Sequence, residues 1–165
     1  SAMTLVNLLE QLKAITDDAV KDLLLPVRAQ KGDAVIADRP AAVYKMRLPD
    51  STSATKKAPY IIHQIVTSKD TQPSGQLEAG SAVVRSIFCV YCNDEQEGAM
   101  HLLNLIERLR IRLLQDVVIG GQFELDLEVG VETLIYLENT APYFAGEMST
   151  TWKMPSVERK WREWL

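Results

Sequence analysis

The sequence predicts an α+β domain: a largely antiparallel or mixed sheet of four to five strands, an N-terminal helix, a long central helix and a short C-terminal helix. Three observations carry this prediction. Two stretches near Leu5 and near Leu102 repeat apolar residues every three or four positions, the spacing of one helix face. Between and after them, short runs alternate apolar and polar residues or are apolar throughout, as strands do. The order is helix, strands, helix, strands, helix, with no repeat or linker, so residues 1–165 are read as a single domain. A chain of this length can enclose an adequate core. Ser1 and Ala2 read as an expression remnant ahead of Met3 and are set aside.

The first helix is expected to present Leu5, Leu8, Leu9, Leu12, Ile15, Ala19 and Leu23 on one face, with Glu10, Lys13, Asp17 and Lys21 between them and Pro26 as its limit. "AVYKMRLP" alternates, placing Tyr44, Met46 and Leu48 on one side and Val43, Lys45 and Arg47 on a wet side. "YIIHQIV" is apolar on both faces and predicts a central strand, paired with the previous one in a hairpin with a long tip from Asp50 to Lys57. A polar loop, Ser68 to Gly80, leads to the strand "AVVRSIFCVYC". Asp94 and Glu97 suit the start of the long helix, whose apolar arc is read as Ala99, Leu102, Leu103, Ile106, Leu109, Leu113 and Leu114. Its polar face carries Glu97, His101, Asn104, Arg108 and Arg112. Gly120 and Gly121 mark a turn before the alternating Phe123, Leu125, Leu127 and Val129. "VETLIYLE" is another strand, and Met148, Thr150, Trp152 and Met154 share one face of a last one. The short final helix begins at Ser156 and gathers Val157, Trp161, Trp164 and Leu165 on one side.

The totals narrow the function classes. A net charge of −4 and a pI near 5.2 give no global attraction to nucleic acid or anionic lipid. No apolar run is long enough to span a bilayer, and no secretion signal opens the chain, so a reducing cytoplasm is expected.

Chemistry-bearing residues are few. Cys89 and Cys92, the only cysteines, sit three apart in a predicted strand and therefore point to opposite faces, which excludes a shared metal or a dithiol. A zinc set would need both His63 and His101, from different elements, so no metal site is expected. His63 lies between Ile61 and Ile65 on one side of its strand and reads as a core or interface histidine; His101 pairs with Glu97 one helical turn away. Arg110 falls inside the apolar arc and must reach a carboxylate, with Asp126 or Glu128 as candidates, or snorkel to an edge, or meet another subunit. Lys56, Lys57 and Lys69 lie in polar loops without a glycine-rich phosphate cradle, and no cofactor is expected. Trp161 and Trp164 are too costly to leave in water and must dock on this domain or a neighbour.

"VVRSIFCVYCNDEQEGAMHLLNLIERLRIRLLQ" resembles the strand, acidic-glycine turn and long helix of the tail terminator, or tail completion, proteins of long-tailed bacteriophages. "GGQFELDL" and "APYFAGEMSTTWKMPSVER" are similar to the later part of that family, where a Pro-Tyr segment leads into a strand ending at a tryptophan and a proline. The resemblance covers roughly residues 83 to 158 and marks Gly98, Pro142, Tyr143 and Trp152 as folding positions. It implies a non-enzymatic homo-oligomeric ring, commonly a hexamer, that ends tail-tube polymerisation and joins the head. The implied partners are further copies of the chain, the tail tube protein and a head–tail connector or stopper protein, within a virion tail or neck assembled in the host cytoplasm. Neither membrane nor specific nucleic-acid binding is implied. The expected contact residues are Lys56, Lys57, Lys69, Arg110, Trp161 and Trp164. The competing readings are another neck or minor tail protein such as a head–tail stopper, a cytoplasmic enzyme using His63, and a binding protein of the adaptor or immunity type.

Overall fold

Thr4 starts the first helix, α1 (Leu5–Val20), with a reciprocal cap: its hydroxyl accepts from the Asn7 N–H and its own N–H donates to Asn7 Oδ1. The computed structural model describes residues 4–29, 36–49, 57–157 and 160. Leu8, Leu9, Leu12, Thr16 and Val20 are the buried face of α1, so the expected leucine stripe is the core stripe. The helix stops at Val20 rather than near Pro26, and Leu23 packs on the core from the following turn.

The remaining elements are β1 (Ala42–Lys45), β2 (Tyr60–Thr71), β3 (Ala79–Tyr91), α2 (Glu95–Asp116), β4 (Val118–Ile119), β5 (Phe123–Leu125), β6 (Glu132–Ile135) and β7 (Tyr143–Met154). They form one mixed sheet in the order β1-β2-β3-β7-β5-β4, with β6 also on β7. The expected α+β class holds, but the sheet has seven strands rather than four or five. β5 and β6 fall within the stretches expected from the alternation after Gly121 and from "VETLIYLE", though shorter, whereas β4, two residues long, is too short for an alternating pattern to stand out. The proposed C-terminal helix falls largely on residues 158–159 and 161–165, outside the described residues.

Two pairing expectations are corrected. β1 and β2 run parallel, with Ala42 opposite Tyr60 and Lys45 opposite His63, instead of forming a hairpin. Met46 takes a φ of 66° directly after β1 and turns the chain out of the strand. The "wet" side of β1 is also inward: Val43 is buried under the helices, and Lys45 reaches Glu10 of α1 in an ion pair. The polar stretch from Ser68 to Gly80, expected to be a loop, is ladder at both ends, since Ser68 pairs with Ala82 and Thr71 with Ala79, and only residues 72–78 form the connection. Backbone hydrogen bonds to β3 and on to β7 order these polar residues without any apolar burial.

α2 opens at Asp94, whose Oδ1 accepts from the Glu97 N–H at 3.0 Å. Its buried face is Gly98, Leu102, Leu105, Ile106, Leu109 and Leu113. Leu105 replaces Ala99, Leu103 and Leu114, all three exposed, because the sheet contact is centred one position round the helix from the predicted arc. Gly98 is where the helix approaches the sheet most closely: a Cβ there would lie 2.1 Å from Cε2 of Phe144. The Gly120–Gly121 turn appears as expected, both residues at positive φ (60° and 68°), and joins β4 to β5. The predicted alternation does not continue to Val129. Asp126 accepts from the Glu128 and Val129 N–H groups, turns the chain away, and leaves Leu127 and Val129 exposed.

The helices cover one sheet face. Ile61, Val84, Phe88, Val90, Met148 and Trp152 meet the buried leucines of α1 and α2 there. Trp152 has no exposed surface, and its Nε1–H donates to Thr150 Oγ1 at 2.9 Å. Arg112 ties the helices together, donating to Asp18 of α1 at 2.7 Å and to Asp116 at 2.8 Å. Arg112, followed by Lys21, holds the exposed Asp18 carboxyl down to about 2. Among the described residues no helix is long and apolar enough to cross a membrane.

Candidate assembly surfaces

Strand alternation sends every second residue of β2, β3 and β7 to the sheet face opposite the helices. Among the described residues no helix residue joins the cluster found there, which consists of the buried Ala58, Tyr60, Ile62 and Cys89 with the partly buried Tyr44, Leu48, Ile87, Tyr91 and Tyr143 packed around them. Tyr91 and Tyr143 have ring centroids 5.5 Å apart at 53°, and Arg28 donates to the Tyr143 hydroxyl at 2.7 Å. Further along the same face, Arg85 forms an ion pair with Glu147 and donates to the Tyr136 hydroxyl at 3.1 Å. The chain has five tyrosines, and this face gathers them all. Tyrosine combines large apolar area with a polar tip and is enriched where proteins meet other proteins. The sequence signal was available in Tyr44, Tyr60, Tyr91 and Tyr136, each within a predicted strand; their convergence depended on a pairing order that the sequence does not display.

The second surface is the open end of the β2–β3 hairpin. The first four residues of β2 are buried and the last six exposed. Val66 is 54% exposed, and Leu77, in the connecting turn, is 86% exposed. A cleft of about 350 Å³ between this end and the segment after β7 is lined by Asp70, Thr71, Glu78, Ala79, Ser156 and Val157. Ser156 and Val157, the start of the segment after β7, therefore lie beside the open end of the β2–β3 hairpin.

The individually nominated residues do not form one patch. Lys69 is exposed on the distal half of β2, opposite Ser81. Lys57 is partly buried at the other end of that strand, where its carbonyl accepts from Arg39 Nη2 at 2.9 Å. From Tyr60 to Lys69 the strand covers roughly 30 Å at its usual rise, so Lys57 and Lys69 serve different regions. Arg110 lies on the helix side and donates to both carboxylate oxygens of Glu107, at 2.8 and 2.7 Å. It finds an intramolecular partner as anticipated, but one helical turn away rather than at Asp126 or Glu128, because its side chain is partly solvent-exposed. Lys56, Trp161 and Trp164, and the hairpin tip from Asp50 to Lys56, lie outside the described residues.

His63 has no exposed surface. Thr16 uses its only hydroxyl proton on the Leu12 carbonyl at 2.6 Å, so the ring Nε2–H donates to Thr16 Oγ1 at 2.8 Å. Nδ1 then accepts from the Ser86 hydroxyl at 2.7 Å. Burial pushes the imidazole down to about 4, so it is neutral. Its two ring partners are hydroxyls, and among the described residues no carboxylate hydrogen-bonds to it. The arrangement can hold a helix on a strand; it offers no route for a substrate.

The two cysteines are free and separate in role. Cys89 belongs to the tyrosine face, where burial pushes its thiol up to about 11 and leaves it unreactive. Cys92 lies beyond the end of β3, in the turn before α2, and its sulfur comes together with Glu97 and His101. That grouping was missed because Cys92 was read as strand, whereas the chain has already left the ladder at Tyr91. Compared with protein-family models and with curated proteins, the chain has no match in either.

Proposed function

We propose that this chain is a non-enzymatic structural protein of a phage or prophage tail, which assembles into a ring that ends tail-tube polymerisation and presents a head-joining surface. The observation that carries the reading is the five-tyrosine sheet face, on which no described helix packs and where Tyr60 is buried while Tyr44, Tyr91, Tyr136 and Tyr143 stay partly exposed, separate from the hairpin end. A closed ring is built from head-to-tail contacts between identical copies and therefore needs two different, complementary patches on each protomer. The tyrosine face supplies one. The hairpin end, with exposed Val66, Lys69 and Leu77 and the approach to the tryptophan segment, supplies the other. The strand–turn–helix resemblance from Val83 onward gives the specific identity of the assembly. The sealed environment of His63 supports a role without chemistry.

Light scattering across a concentration series, followed by electron microscopy with purified tail tubes, tests the proposal. Rings seated on tube ends are expected. A protein that stays monomeric at every concentration and never caps a tube would remove the reading.

A further inference from the structure

We propose that Cys92, Glu97 and His101 form a binding site for a zinc-class divalent metal ion at the junction of β3 and α2. One ligand atom from each residue can be chosen so that all lie within 4.8 Å of one another. In a tetrahedral zinc site with bonds of about 2.0–2.3 Å, ligand atoms stand about 3.3–3.6 Å apart, so closing the set takes about an ångström of side-chain rotation. The donors come from two elements. Glu97 and His101 are one turn apart on the same side of α2, and Cys92 precedes the helix cap. The turn carrying Cys92 is itself fixed, since its N–H donates to the Pro142 carbonyl at 2.9 Å.

The donor chemistry selects the class of ion. Thiolate, imidazole and carboxylate together suit zinc and its first-row neighbours rather than magnesium or calcium, which prefer all-oxygen sets. A thiolate and a carboxylate supply two negative charges, matching a divalent ion, and the thiol proton leaves to solvent on binding. A fourth ligand position is accessible: a cleft of about 510 Å³ beside the cluster is lined by Asp94, Gln96, Glu97, Met100, His101 and Asn104. Water from this cleft completes the tetrahedron. Cys92 is only 6% exposed, so the ion sits at the floor of the cleft with its sulfur ligand shielded from oxidants. The bound ion would clip the turn to the first two turns of α2. This site is independent of ring formation.

The test uses the full chain, free of any affinity tag, titrated with Co²⁺ alone and then with Zn²⁺ in competition. The expected result is one ion per chain, with a cobalt–thiolate charge-transfer band that zinc abolishes and a chelator reverses. Cys92→Ser should remove the band, and His101→Ala should weaken binding by roughly tenfold or more. Cys89→Ser should change neither. Because His101 is only half-buried, its variant folds and decides the matter even where Cys92→Ser does not. Absence of a thiolate band in the wild-type chain, or binding left unchanged by His101→Ala, would overturn the site.

Discussion

His63 Nε2 on β2 and Thr16 Oγ1 on α1 meet at 2.8 Å, joining the first helix to an interior strand through a ring that has no contact with solvent. The second nitrogen continues the connection to Ser86 on β3, so one neutral imidazole links three elements. Neither partner can ionise to compensate a charge on the ring. Protonation of the ring would therefore leave an uncompensated buried charge at this contact and weaken the hold on α1 that the buried leucines and the Arg112–Asp18 pair otherwise supply.

Stability should fall with acid in a definite window. The folded ring titrates near 4 and the unfolded one near 6.5, so the unfolded state binds the proton first as pH drops. Loss begins below about 6.5 and is complete near 4, and the difference is worth roughly 3 kcal/mol. Urea denaturation at several pH values should show this slope. His63→Gln, which keeps a donor and an acceptor, should be less stable at neutral pH yet show a flatter dependence; an equal slope would assign the acid sensitivity to other groups.

Gly98→Ala should destabilise the fold although alanine is the better helix former. The gain in propensity is about 1 kcal/mol, whereas forcing a methyl against the Phe144 ring costs about 1–3 kcal/mol. A net loss of about 1 kcal/mol is expected, measured as a lower denaturation midpoint. Gly98→Ala combined with Phe144→Leu should recover part of it, because the two changes act on one contact.

Arg39 donates to the carbonyls of Pro40, Pro59 and Lys57, at 3.0, 3.0 and 2.9 Å, and so fixes the chain entering β2 against the chain entering β1. Arg39→Ala should cost about 2 kcal/mol, since hydrogen bonds from a charged donor exceed neutral ones but this group is partly solvated. Arg39→Lys should restore less than half, because a compact ammonium cannot span three acceptors. Equal chemical stability of Arg39→Ala and the wild type would show that the clamp contributes nothing.

Val66→Glu and Lys69→Glu should leave monomer stability within about 0.5 kcal/mol, as both side chains project from the exposed half of β2. If the hairpin end is a ring contact, either change should shift light-scattering mass toward the monomer and abolish tube capping. Unaltered assembly by both variants would remove this end from the contact surface.

Sequence alone determined the elements with strong periodicity. The leucines of α1, the Asp94-capped helix, the central character of β2, the burial of His63 and the shared face of Met148, Thr150 and Trp152 are all written in residue order, because their spacing matches the geometry of one element. Tertiary structure alone decided what lies beside what. The parallel pairing of β1 with β2, the laddering of Ser68–Thr71 onto β3, the inward course of Lys45, the gathering of five tyrosines and the meeting of Cys92 with His101 each depend on partners distant in sequence or on where a strand ends. Periodicity reports the face a side chain takes within its own element. Pairing order and element limits are fixed by backbone hydrogen bonding and burial across the whole sheet, which no local pattern encodes.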